Sequence, residues 1–143
     1  MSITDAQLLF SEAQVLTSGD VLSTNVIDLK AVGWNGNAAS NAPLVVWYRF
    51  PTTVADDSGS DGTLKIVVRT KADATLSSGA TDLLTTNAIP LTSLTSTSPV
   101  GQIVLPDDGL LRYIGLYYDV TSMTPSAGTV TAGLTVRGAV QTA

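Results

Sequence analysis

The most constraining feature of this chain is an alternation of apolar and polar residues with a period of two. Between residues 129 and 136 every second side chain is apolar, and the residues between them are Thr or Gly. Residues 64–69 alternate in a similar way. Successive side chains of a β-strand point to opposite faces of the sheet, so this pattern predicts strands with one buried face.

Further strands are predicted at 44–50, 103–105 and 110–120, with weaker candidates at 7–17, 25–30 and 82–94. Segments rich in Gly, Pro, Asn, Asp and Ser separate them at 33–41, 51–62, 77–79, 95–99, 107–109 and 122–128. About eight short strands without a convincing amphipathic helix predict an all-β antiparallel sandwich or barrel. The count fits a jelly roll, and an immunoglobulin-like topology fits the pattern nearly as well. We expect a single domain over 1–143, with residues 1–12 as an extended arm or an edge strand.

Composition excludes several classes of function. The net charge is −5 and the sequence pI is about 4.3, so phosphate backbones should be repelled and nucleic acid is not an expected partner. Charged residues form 13% of the chain, against the usual share of about 25%. A weakly charged β-protein suits an assembled structure better than a free monomer. The local basic run Lys65, Arg69 and Lys71 is interpreted as a solvated strand face.

Residue types needed for catalysis are missing. The chain has no Cys and no His, which removes disulfides, thiolate nucleophiles, nearly all zinc sites and the commonest general base. Its many Ser residues lack an activating base, so we expect no enzyme activity and no cofactor. No apolar run approaches the roughly 20 residues that span a bilayer, and no basic region precedes residues 8–10. We therefore expect no membrane partner and no signal peptide.

Two acidic segments resemble functional sites. Residues 56–62 look like the front of a calcium loop, but counting from Asp57 the third position is Gly59 and the twelfth is Val68, where a bidentate Glu is required. A polar loop without metal is the better interpretation. Asp107 and Asp108 precede Gly109, and Asp-Gly between apolar strands is typical of a hairpin turn rather than of an acid–base pair.

Two predicted strands are apolar on both faces. In 110–120 one row is Ile114, Leu116, Tyr118 and Val120, and the opposite row holds Leu111, Tyr113, Gly115 and Tyr117. In 44–50, Val45 and Trp47 lie opposite a second apolar row. The outer rows need a cover, which could be another protein, the chain's own N-terminal arm or a sugar, and protein contact is favoured. The predicted contact residues are Leu8, Leu9, Phe10, Val45, Trp47, Leu111, Tyr113 and Tyr117.

Two blocks of sequence also carry a resemblance. ITDAQLLFS at 3–11 and STNVIDL at 23–29 resemble the start of the capsid cement, or decoration, proteins of certain tailed phages. A second block runs from Leu105 through RYIGLYY at 112–118 to GTVTAGLTV at 128–136, and is similar to the end of the same family. Residues 33–41 and 51–62 match this family least well.

The resemblance implies a jelly-roll fold and a structural role in the virion. Such a protein would bind the outer surface of an assembled capsid and bridge neighbouring major capsid subunits, as a dimer or trimer on a symmetry axis. The family pattern supplies no catalytic residues. A carbohydrate-binding module, which would use exposed aromatic rings, and a tail or baseplate protein remain alternatives.

Overall fold

Ten strands and a short 3-10 turn at Leu91–Ser93 form the fold of the residues that the structure describes. The computed structural model describes residues 8–17, 19–29, 44–56, 62–106 and 109–136. The strands are β1 (Leu9–Val15), β2 (Val21–Leu22), β3 (Ile27–Asp28), β4 (Leu44–Asp56), β5 (Thr63–Lys71), β6 (Thr81–Thr85), β7 (Ile89–Pro90), β8 (Gly101–Val104), β9 (Tyr113–Thr121) and β10 (Pro125–Val136).

The strands form two antiparallel sheets. One sheet has four strands in the order β1-β10-β4-β8, and the other has six, with β2-β9-β5-β6 as its path, β3 beside β9 and β7 beside β5. The two-residue strands β2 and β3 share one side of β9, and β6 and β7 share one side of β5, so the ten strands occupy eight positions. This order is that of a jelly roll. The prediction of an all-β antiparallel sandwich is confirmed, and the jelly roll replaces the immunoglobulin-like alternative.

The core lies between the sheets and is built by the predicted alternation. On β9 and β5 every second side chain is buried, and the inner row of β10 is buried as well. On the inner row of β4, Val46 and Phe50 are buried and Tyr48 is partly buried. Burying one such side chain fully stabilises the fold by roughly 1.5–3 kcal/mol. The fully or nearly fully buried residues include Ile114, Leu116, Tyr118, Leu64, Ile66, Val68, Val46, Phe50, Val130, Ala132 and Leu134.

β4 is longer than predicted, because Pro51 does not end it. Proline has no N–H to donate, so it is tolerated where the ladder is interrupted. The β4–β10 pairing shifts register between Thr52 and Arg49, the stretch that contains Pro51. On its other side β4 pairs with β8 only from Val45 to Tyr48. Pro51 therefore costs no regular ladder bond, and the predicted turn at 51–62 is wrong for residues 51–56.

The β1 side of the sandwich is closed by side chains. The hydroxyl of Ser11 is 2.8 Å from that of the buried Tyr118 on the opposite sheet. Gln14 donates to the carbonyl of Leu22 at 2.8 Å and accepts from the amide of Thr24 at 2.9 Å. These bonds join β1 to the segment that contains β2. Of the two predictions for residues 1–12, an edge strand is found from Leu9 onward, and residues 1–7 lie outside the described ranges.

Several boundaries differ from the sequence prediction. β2 was not predicted, because two residues are too few to show a period. The predicted strand 110–120 begins only at Tyr113. The predicted hairpin at 107–109 would pair the strands on either side of it, but β8 and β9 belong to different sheets. Asp107 and Asp108 themselves lie outside the described residues. Gly109 does adopt the turn-like φ of +90°. The acidic loop 57–61 and the segment 33–41 lie outside the described residues.

Candidate functional site

The outer face of the six-stranded sheet carries a group of aromatic and charged side chains. Tyr113 and Tyr117 point outward from β9, and in the β5–β9 register Lys71 lies opposite Tyr113 while Arg69 lies opposite Gly115. Side chains directly opposite in an antiparallel pair share one face. We call these five residues the tyrosine face. Both tyrosines are partly buried, and the neighbouring Leu111 is 42% exposed.

Both the hydroxyl and the ring of Tyr117 contact charged side chains. Its hydroxyl donates to the Oδ2 of Asp20 at 2.8 Å, and the Oδ1 of Asp20 accepts from the amide of Val120 at 2.9 Å. The guanidinium of Arg69 lies 3.9 Å from the centre of the ring, which is cation–π geometry. The hydrogen bond to Asp20, followed by desolvation, raises the pKa of Tyr117 above its ordinary value. The phenol is therefore fixed in position and in its neutral form.

Arg69 links the ring to the edge of the sheet. Its Nε lies 2.8 Å from the Oδ1 of Asp82 on β6, while the ring of Tyr117 holds its guanidinium from the other side. The Arg69 side chain is 20% exposed, which is low for a residue on an outer face. The sequence predicts that Lys65, Arg69 and Lys71 form a solvated face. For Arg69 and Lys71 the structure shows instead a face of paired, partly buried charges.

A loop folds back over Gly115. Leu76, in the segment between β5 and β6, is only 2% exposed, and its Cδ1 occupies the space that a side chain at Gly115 would fill. Lys71 anchors the same loop, since its Nζ donates to the carbonyls of Thr75 at 2.9 Å and Ser78 at 2.7 Å. Gly115 is thus needed for the close approach of Leu76, and the loop packs against the tyrosine face.

The ends of this loop and of β9 carry two further charged contacts. The amide of Thr75 bonds the carboxylate of Asp73 and, together with Lys71, holds the pKa of that carboxyl below its usual value. Arg112 forms a two-pronged contact with Asp28, with both N···O distances at 3.0 Å. Asp28 raises the pKa of Arg112. The Arg112 guanidinium also lies 5.1 Å from the ring centre of Tyr113.

The outer face of the four-stranded sheet is different. Val45 and Trp47 are 0% and 4% exposed within a single chain, and the indole of Trp47 lies against Gly133 on β10. Leu9 is 8% exposed, and Phe10 belongs to the core. Side chains with so little free surface in a single chain offer little to a partner. That these four residues form contacts stays a prediction without support from their exposure, while Leu8, Leu111, Tyr113 and Tyr117 keep accessible surface.

Charge is distributed unevenly between the two sheets. Among the described charged residues, Glu12, Arg49 and Asp56 alone belong to the four-stranded sheet. The others lie in the six-stranded sheet or in the loops beside it. No group of His, Cys, Asp and Glu side chains in the described ranges could hold a metal ion. Within those ranges there is also no helix long and apolar enough to cross a membrane.

Four members of this site are not predicted as such from the sequence: Asp20, Arg69, Leu76 and Asp82. No local signal marks them, because strand pairing or loop folding brings Asp20 and Arg69 to Tyr117, Leu76 to Gly115 and Asp82 to Arg69. A shared register between β5 and β9 was the only information that could have placed Arg69 beside Tyr117.

The comparisons with known proteins give one result. The family model named Bbp16 matches residues 10–134, a range that runs from β1 into β10 and includes the whole tyrosine face. A search of curated proteins finds no match. The chain belongs to the Bbp16 family.

Proposed function

We propose that this member of the Bbp16 family is a structural virion protein, a cement protein that binds the outer surface of an assembled phage capsid. It would bridge neighbouring major capsid subunits and so stabilise the shell. The proposal starts from the sequence resemblance, whose second block includes most of β9 and most of β10. The tyrosine face, with Leu111 at its border, is the proposed contact surface.

The observation that carries this assignment is the residue composition of the tyrosine face together with the fixed positions of its side chains. Tyr and Arg are enriched in protein interfaces and supply most of the residues that dominate binding energy. Here Tyr117 and Arg69 are already fixed by Asp20 and Asp82. A surface that is ordered before binding loses less side-chain entropy when it docks. An exposed Leu111 beside such a surface adds apolar area at its border.

The overall charge favours the outside of a capsid over the inside. A protein of net charge −5 would be repelled by packaged DNA, whereas the outer surface imposes no such cost. Each individual contact can be modest. Several copies of one contact, presented together by a homo-oligomer, raise the overall avidity by about 10²–10⁴.

Sugar binding is less well supported by the same geometry. Carbohydrate modules stack a sugar ring on an open aromatic face. The ring of Tyr117 already has the guanidinium of Arg69 on one face, and Trp47 is buried. A glycan panel that yields a saturable ligand would favour the carbohydrate alternative over the cement function.

Co-sedimentation with purified shells that lack this protein tests the proposal. We expect the unaltered chain to bind shells and to raise their resistance to heat. Leu111→Lys and Tyr117→Lys should stay folded and bind shells more weakly, since loss of one anchor costs about 2 kcal/mol, or roughly 30-fold in affinity.

The control is Val15→Lys, which places the same charge on an exposed apolar position of the other sheet, 63% exposed against 42% for Leu111. It should bind shells normally. If Leu111→Lys and Tyr117→Lys decorate shells as well as this control does, the tyrosine face is not the contact. If the unaltered chain does not bind shells at all, the cement function itself is wrong.

A further inference from the structure

The strand β8 forms an open edge of the four-stranded sheet. It is the last strand in the order β1-β10-β4-β8 and pairs only with β4 among the described residues. Leu105 donates to the carbonyl of Leu44, and Ile103 lies opposite Val46. Because backbone groups alternate in direction along a strand, those of Gln102 and Val104 point away from β4. Two N–H and two C=O groups therefore face outward.

Among the described residues, the β8 edge has neither the cover found at the β1 edge nor the charge found at the β6 edge. The β1 edge is covered where Asn25 donates to the carbonyl of Phe10 at 2.9 Å and Gln14 bonds Leu22. The β6 edge carries the charge of Asp82. In contrast, residues 91–106 contain no charged residue, Gln102 is exposed and Val104 is 47% exposed. Monomeric proteins commonly place charge, proline or a cover on such an edge.

We propose that β8 pairs antiparallel with β8 of a second copy of this chain, across a two-fold axis that passes beside Ile103. In this register Gln102 of each copy lies opposite Val104 of the other. All the outward N–H and C=O groups of both strands are then satisfied by four hydrogen bonds. The two four-stranded sheets become one continuous sheet, and the partly buried Ile103 side chains meet at the axis on its inner side.

A second copy fits this edge better than an unrelated strand for two reasons. The register is self-complementary, as a two-fold contact requires. The segment is also uncharged, so two chains that each carry a net charge of −5 approach here with the least repulsion. Pro99 and Pro106 flank the strand and have no N–H to donate, which limits the ladder to its centre. The pairing closes on itself and does not propagate.

The pairing rests on the proposed function in one respect, because it gives the expected homo-oligomer a defined contact. The experiments use free protein without shells, so they test the pairing separately from capsid binding. The chain has no Cys, so introduced thiols are the only ones present. Samples of Gln102→Cys and of Val104→Cys are mixed, left to exchange subunits and oxidised mildly. In the proposed register these two positions face each other with Cα atoms about 5.5 Å apart, within disulfide range.

The mixture should therefore give a covalent dimer on a non-reducing gel, and each variant alone should not, because identical positions lie on a diagonal beyond about 7 Å. No covalent dimer from the mixture would overturn the pairing. A strong dimer band from Gln102→Cys alone would overturn the register.

Sedimentation of charge variants gives an independent test. We expect the unaltered chain to sediment as a dimer, and Val104→Lys to sediment as a folded monomer that keeps a cooperative thermal melt, at a temperature lowered only by the lost association. Val15→Lys, on the opposite edge of the same sheet, should remain dimeric. A dimer that persists in Val104→Lys, or a monomer for the unaltered chain across a concentration series, contradicts the proposal. A monomeric Val104→Lys that still binds shells in proportion to its concentration would leave the cement function intact.

Discussion

Tyr117 and Tyr118 show how one position along a strand decides the role of a residue. Tyr118 faces the core, is fully buried and shares a hydrogen bond with Ser11. Tyr117 faces outward and bonds Asp20. Burial raises the pKa of Tyr118, and the bond to Asp20 raises the pKa of Tyr117. The same side chain thus joins the two sheets in one case and orders a surface in the other.

These raised pKa values predict the pH dependence of stability. A folded-state pKa above the unfolded value means that the native state favours the protonated phenol, so its contribution is complete below about pH 10 and is lost as the pH rises through the folded pKa. We expect the free energy of unfolding, measured with denaturant, to fall above about pH 10. Tyr118→Phe should cost about 1 kcal/mol at neutral pH and make the alkaline fall shallower.

The free energy of unfolding should change little between pH 6 and 8. The chain has neither His nor Cys, so no unperturbed side chain titrates between pH 6 and 8. A change in melting temperature of more than about 5 °C across that window would reveal a strongly shifted carboxyl.

At the scale of elements, the long alternating strands could be predicted from the sequence, while the short strands could be predicted only in part: β3 lies within the weaker candidate 25–30, and β2 has no predicted counterpart. The inner rows of β5 and β9 are those that the alternation indicates. β2 and β3 have two residues each, so pairing with β9 and not local pattern creates them. β4 continues through Pro51 because the register shift there removes the need for a donor. Tertiary pairing overrides local turn preference in each of these cases.

The loop between β5 and β6 gives a prediction at this scale. In Gly115→Ala the added methyl meets Leu76, so the loop should lift from the sheet and its amides should exchange hydrogen faster. Leu76→Ala should cost about 2–4 kcal/mol through lost burial and a cavity. The double variant should cost less than the sum, because the methyl at 115 partly fills that cavity.

Gly19→Ala is the control for this pair, since a methyl there meets nothing within 4 Å. It should leave both stability and loop exchange unchanged. Additive costs of Gly115→Ala and Leu76→Ala would show that the two residues do not share one space.

At the scale of the whole molecule, the sequence predicts the fold class and the outward direction of Tyr113 and Tyr117. It does not predict which of the two outer sheet faces stays accessible to solvent. Trp47 and Tyr117 look alike in sequence, as apolar residues on the second face of a strand. The structure buries Trp47 against Gly133 and leaves Tyr117 partly accessible beside Arg69. Which outer row is covered depends on loop packing and inter-strand register, and neither has a local pattern.

The sandwich as a whole should not depend on calcium. Val68, the twelfth position counted from Asp57, is fully buried in β5 and its apolar side chain can ligate no cation. We expect a thermal melt in the presence of a chelator to coincide with the melt in excess calcium. A lower melting temperature that calcium restores, and that Asp57→Ala abolishes, would contradict this.

The pairing of β1 with β10 also determines how the molecule responds to mechanical force. Leu9 lies opposite Gly133, so the first and last described strands run antiparallel and side by side, with the start of one beside the end of the other. Tension applied between residues 9 and 136 would open this ladder from one end, one residue pair at a time. A load that makes neighbouring strands slide along each other would have to break many ladder hydrogen bonds at the same time. The resistance of the jelly roll to force therefore depends on the direction of the load.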